Sequence, residues 1–79
     1  MQCYVYANSC SSGSEQNKVL DNVRKVLEQK TSAIWREHRS DGDEHDLYDV
    51  PLSGLAFMDY IDDGVFGAIA KEFNCDVYW

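Results

Sequence analysis

The chain opens on an alternation. Cys3, Val5 and Ala7 are small or apolar, whereas Gln2, Tyr4 and Tyr6 are polar or amphipathic. A period of two sends successive side chains to opposite faces and predicts a strand. A run of small polar residues over 8–14 then predicts a loop. From there the period lengthens: Val19, Leu20, Val23, Val26 and Leu27 fall at helical spacing and predict an amphipathic helix over 15–30. Ser14 is its expected N-cap. Glu15 in the first turn and Lys30 in the last each carry the charge that the helix dipole favours.

Residues 31–38 are rich in β-branched and aromatic side chains and predict a second strand. Asp41-Gly42 is a hairpin-turn signal, residues 45–50 are the returning strand, and Pro51 stops it. A single helix from 55 to 73 would be about 28 Å long at 1.5 Å per residue, too long beside strands of about 20 Å. A break is therefore expected at Asp62-Asp63-Gly64, with Asp63 capping a helix that runs to Phe73. Residues 55–61 read either as a short helix capped by Ser53 or as an extra strand. Asn74 ends the last helix, and 75–79 form a final short strand.

The order β-α-β-β-α-β predicts an α+β, ferredoxin-like sandwich. In it one antiparallel sheet has both helical segments on one face, and the first strand lies between the third and fourth. The 79 residues make one expected domain. A domain of this size buries only about 60% of its unfolded surface, so its stability is thin.

That arrangement leaves one sheet face uncovered. If Cys3, Val5 and Ala7 point at the helices, Tyr4 and Tyr6 point away. By the same alternation Val77 and Trp79 turn inward and Tyr78 outward, and Trp35 or Ile34 joins the open face depending on register. Aromatics gathered on an exposed sheet face form a docking surface. The RNA-recognition motif shares this element order and stacks bases on such a face, but its Lys/Arg-Gly-aromatic signature is absent. The formal net charge of −7 also opposes a polyanion, so no nucleic-acid partner is expected.

The charge is unevenly spread. Residues 1–40 carry six Lys/Arg against four Asp/Glu, and residues 41–79 carry one against ten. Asp41, Asp43, Glu44, Asp46 and Asp49 crowd the hairpin, while Asp59, Asp62 and Asp63 surround the helix break. Oxygen-rich clusters of this kind suit Ca²⁺ or Mg²⁺. Counted from Asp41, however, the positions where an EF-hand needs an acid or Asn, Gly and Glu hold His45, Asp46 and Leu52. His38 and His45 flank the turn and, with Asp43 or Asp46, have zinc-ligand chemistry; exposed polar residues are the plainer reading. No metal or cofactor is expected.

Asp41-Gly42-Asp43-Glu44 resembles the GGDEF motif of diguanylate cyclases, and Tyr60-Ile61-Asp62-Asp63 resembles the Tyr-x-Asp-Asp motif of reverse transcriptases. Both resemblances imply paired carboxylates that hold Mg²⁺ for phosphoryl chemistry. Each covers four residues, Asp41 stands where GGDEF has its first glycine, and no basic triphosphate-binding stretch accompanies the acids. A small divalent-metal enzyme is accordingly the second alternative.

Cys3, Cys10 and Cys75 form no CxxC pair, so reduced, buried thiols are expected, with a Cys10–Cys75 bridge as the alternative. Residues 1–7 have neither a basic stretch nor an apolar run of signal-peptide type, and no apolar run approaches a membrane span. The sequence therefore predicts a cytoplasmic binding module and no enzyme. The leading expectation is an acidic inhibitor or immunity-type protein that docks on a basic protein partner through Asp41, Asp43, Glu44, Asp46 and Asp49 of the hairpin, with Asp62 and Asp63. Carboxylates in that role steer association. The alternative is a homodimer joined through the open face, where Tyr4, Tyr6, Trp35 and Tyr78 are the candidates, enclosing a small-ligand pocket.

Overall fold

Alternation and helical spacing both become three-dimensional around β1 (Gln2–Ala7), whose Cys3, Val5 and Ala7 are buried while Gln2, Tyr4 and Tyr6 are not. The computed structural model describes residues 1–7, 13–40, 43–55 and 64–79. Helix α1 (Gly13–Thr31) follows β1, then strands β2 (Ile34–Arg39) and β3 (His45–Asp49), a 3₁₀ turn over Leu52–Gly54, helix α2 (Gly64–Phe73) and strand β4 (Cys75–Tyr78). The fold is α+β, with one four-stranded antiparallel sheet in the order β2-β3-β1-β4 and two α-helices among the described residues.

The core lies between the helices and one face of the sheet. Leu20, Val23 and Leu27 of α1 and Phe66 and Ile69 of α2 close over Cys3, Val5, Tyr48 and Val50. Each large apolar side chain taken out of water contributes about 1.5–3 kcal/mol. Val19 and Val26 pack at the margin of the same helical stripe, so all five apolar positions of the spacing lie against the core.

The boundaries moved for identifiable reasons. Thr31, expected in a strand, is the last residue of α1 because its buried hydroxyl donates to the Leu27 carbonyl at 2.7 Å. Ser32 then turns into the left-handed region at φ 59° and donates its N–H to Glu28 O at 3.0 Å, closing the helix. Strand β2 consequently starts at Ile34 and reaches Arg39. Ser14 lies inside the first turn of α1, one residue past the helix start. Asn74, at φ 52°, ends α2 as its position implied. Ser53 sits within the 3₁₀ turn, and Leu55 after it is extended. The expected segment over 55–61 otherwise falls outside the described residues, as do Asp63 as a cap and the Asp41-Gly42 turn. No described helix is long and apolar enough to cross a membrane.

Gly54 lets the 3₁₀ turn press against the end of α1. A β-carbon at this position would stand 1.9 Å from the Thr31 carbonyl oxygen, a backbone atom that cannot step aside. Gly54→Ala is expected to destabilise the fold by about 1–3 kcal/mol or more, read as a lower urea midpoint at equilibrium.

Candidate functional site

Strand β3 sends Asp46 and Tyr48 to the helix side and His45, Leu47 and Asp49 to the other. The register proves it: Val5 pairs with Asp46 and Cys3 with Tyr48, and both partners are core residues. Asp46, expected at a solvated contact surface, is instead fully buried. A buried carboxylate is tolerated only where it is neutralised and hydrogen-bonded. Three side chains supply this. His38 Nδ1 lies 2.7 Å from Asp46 Oδ1, Arg24 Nη2 lies 3.5 Å from Oδ2, and the Tyr48 hydroxyl donates to Oδ2 at 3.4 Å.

Each comes from a different position in the fold. Arg24 projects from α1 beside Val23 and one turn after Leu20, on the margin of the apolar stripe, and its guanidinium lies 4.4 Å from the Trp35 ring centroid. His38 arrives from β2 through an irregularity. The pairing slips between Trp35 and Glu37, leaving Arg36 as an extra residue. This bulge puts Trp35 and His38, three apart, on the same face, which strict alternation forbids. Trp35 therefore lies on the helix side, and Ile34 is the residue of that pair on the open face.

The cluster's chemistry follows from its hydrogen bonds. His38 Nε2 meets Glu44 while Nδ1 meets Asp46. The bond to Asp46 raises the pKa of His38, burial opposes the rise, and the bond to Glu44 adds to it. With both nitrogens held by carboxylates, the imidazolium is favoured and neither nitrogen is left to accept a proton. That is a clamp between β2 and β3 rather than an acid–base apparatus. Burial raises the Tyr48 hydroxyl well above the usual phenol range, and the neighbouring Asp46 adds to this. For Arg24, burial works against the charge, but the Tyr48 hydroxyl and Asp46 outweigh it and raise its pKa. The thiols are equally passive. Burial, helped by Cys75, pushes Cys3 up to about 12, and burial, helped by Asp76, pushes Cys75 up to about 11, so both are protonated at neutral pH. Cys75 is a free thiol, and Cys10 lies outside the described residues. Among the described residues no group of three His, Cys, Asp or Glu is arranged to hold a metal ion.

The opposite face of the sheet holds three cross-strand rows, of which Gln2, Asp49 and Ile34 form the one farthest from the hairpin. Arg39, His45, Tyr6 and Asp76 are successive partners across β2, β3, β1 and β4, and Glu37, Leu47, Tyr4 and Tyr78 form the next row. The Tyr6 ring stacks on His45 at 4.3 Å and 14° and meets Tyr78 edge-on at 5.6 Å. His45 Nδ1 lies 2.9 Å from the Asp43 carbonyl, which fixes the ring for this stack. Leu47 and His45 are buried, whereas Tyr78 and Ile34 are more than half exposed. His38 and His45 thus lie on opposite faces and cannot share a zinc ion. Arg36 with Asp49 and Arg39 with Glu37 form ion pairs at the β2 edge of this face.

The expected docking acids are dispersed by this geometry. Asp46 is interior, Glu44 is held by His38, Asp49 is held by Arg36, and Asp43 is exposed at the hairpin. Asp41, Asp62 and Asp63 lie outside the described residues. A separate open groove of about 190 Å³ runs between α2 and β4, with Phe66, Ala70, Val77 and Trp79 among its walls; Trp79 turns inward and stacks on Phe66 at 4.9 Å. Arg24 was not singled out from the sequence, although its position beside the apolar stripe was visible there. No protein-family model, curated protein or solved structure matches the chain.

Two outcomes check the clamp. Asp46→Ala strands Arg24 and His38 around a vacated site and is expected to cost about 3–5 kcal/mol in urea unfolding, whereas Asp49→Ala removes an exposed pair and is expected to cost under about 1 kcal/mol. His38 has a folded-state pKa above its ordinary 6.5, so its contribution is complete below pH 6.5 and fades as pH climbs through the raised value. The stability gap between the wild type and His38→Gln is therefore expected to narrow as pH rises above 6.5. A gap that widens would refute the assigned charge state.

Proposed function

We propose that this chain is a protein-binding module of ferredoxin-like type whose contact surface is the open face of its sheet. The observation that carries this reading is the group of Tyr4, Tyr6 and Tyr78 on the sheet face opposite both helices, with ring contacts joining Tyr6 to Tyr78 and to the buried His45. Tyrosines in such a patch supply large, rigid, amphipathic contact area at little conformational cost. The strand order β2-β3-β1-β4, with both helices packed on one side, supports the ferredoxin-like arrangement. Binding in place of catalysis is supported by the doubly engaged imidazole of His38 and by the two buried, protonated thiols.

An acidic hairpin that docks on a basic partner has less geometric support, because Glu44, Asp46 and Asp49 already have cationic partners inside the chain. The net charge of −7 then acts at long range, on which partners approach. The reading is tested with a photo-crosslinking benzoylphenylalanine placed at Tyr78 and, as control, at Lys25 on the exposed side of α1. A protein adduct at position 78 that Tyr6→Asp abolishes is expected. Equal crosslinking from both positions, or none from 78, would exclude the open face as the contact.

A further inference from the structure

We propose a second contact, on the edge of the sheet: β4 accepts an extended basic peptide as an added strand, with one apolar peptide side chain seated in the groove beside α2. This contact is independent of the open-face reading, because the groove lies on the helix side of the sheet.

The hydrogen bonds of β1 show which backbone groups of β4 are open. Ala7 donates its N–H to Glu44 O at 3.2 Å, and Val50 donates to Met1 O at 2.7 Å. The odd-numbered residues of β1 therefore aim their backbone groups at β3. Tyr4 and Tyr6, by alternation, aim theirs at Tyr78 and Asp76 of β4. The intervening residues of β4, Cys75 and Val77, turn N–H and C=O away from the sheet. β4 is an outer strand, and no described backbone group bonds them there. Its pairing with β1 runs without a slip, so the outward groups are evenly spaced, as an incoming strand requires.

The groove lies where such a strand would set a side chain. A peptide residue opposite Val77 accepts the Val77 N–H and donates its own N–H to the Val77 carbonyl. Residues paired in this way share a face, so its side chain falls beside that of Val77, which packs against the core on the helix side. The groove of about 190 Å³ occupies this place. Gly67 and Ala70, one turn apart, keep its α2 wall low, and the stacked rings of Phe66 and Trp79 give it an aromatic wall. A cavity of about 150 Å³ holds a benzene ring, so this groove has room for a leucine-sized side chain.

Charge selects the rest of the peptide. The neighbours of that apolar residue point to the other face, one toward Asp76 and one toward Tyr78. Asp76 is exposed and has no ion pair among the described residues. A lysine opposite it completes a cross-strand pair, and the net charge of −7 attracts it from a distance. A second copy of this chain would bring the same negative charge to the edge. The occupant is thus a segment in which basic and apolar residues alternate. β4 has four residues, and Cys75 and Val77 supply the outward bonds, so the dissociation constant is on the order of 100 μM.

The test is fluorescence anisotropy at low salt with fluorescein-labelled Lys-Val-Lys-Leu-Lys-Val-Lys amide, for which saturable binding is expected. N-methylation of its Val and Leu residues removes the N–H groups that face β4 and is expected to weaken binding about tenfold or more. The same modification of its inner Lys residues, whose N–H groups face away, is expected to leave affinity within about threefold. Ala70→Leu fills the groove with a good helix former and, with a native circular-dichroism spectrum, is expected to weaken binding about tenfold or more. Asp76→Lys is expected to reverse the preference in favour of Glu-Val-Glu-Leu-Glu-Val-Glu. A peptide that does not saturate by about 1 mM, or that loses equal affinity with either set of methyl groups, would overturn the added strand. So would a natively folded Ala70→Leu that binds as tightly as the wild type.

Discussion

A carboxylate in a protein interior obliges cations to come to it, and Asp46 draws three elements together for this reason. Arg24 must reach in from α1, His38 must arrive from β2, and Tyr48 must turn its hydroxyl back along β3. The requirement explains features that look unrelated. The slip of register at Arg36 is what places His38 on the helix side, and the same slip puts Trp35 beneath the Arg24 guanidinium. The end of the sheet nearest the hairpin is therefore fastened by charge, whereas the opposite end is closed by apolar contact, with Trp79 stacked on Phe66.

What the chain disclosed in advance was whatever depends on period. The spacing from Val19 to Leu27 marked the long helix, and the alternation of Cys3, Val5 and Ala7 gave β1 its buried face. The same alternation put Tyr4, Tyr6 and Tyr78 on one surface. What stayed hidden depends on pairing between distant segments. Whether Ile34 or Trp35 faced outward turned on a bulge that no local pattern announces. Thr31 has the composition of a strand residue, yet a single hydrogen bond to Leu27 keeps it helical.

Asp46 is the instructive case. Its neighbours Asp43 and Glu44 made it look like one member of a solvated cluster, and charge density alone supports that view. The phase of β3 says otherwise: a residue two before Tyr48 and four before Val50 shares their inward face. Applied to β3, the alternation already in the sequence would have placed Asp46 inside and would have raised the question of which cations answer it. Charge counts describe a surface only after the strand phase has decided which charges are on it.

The bulge at Arg36 has one more effect, on the outer edge of the sheet. Strand β2 is an outer strand, and outer strands offer open backbone groups along which sheets can extend from molecule to molecule without limit. Here the ladder is interrupted, and the strand carries Arg36, Glu37, His38 and Arg39 in succession. Edgewise growth is discouraged by both the geometry and the charge. The sheet is thus guarded along its β2 edge against the open-ended polymer that it could otherwise seed.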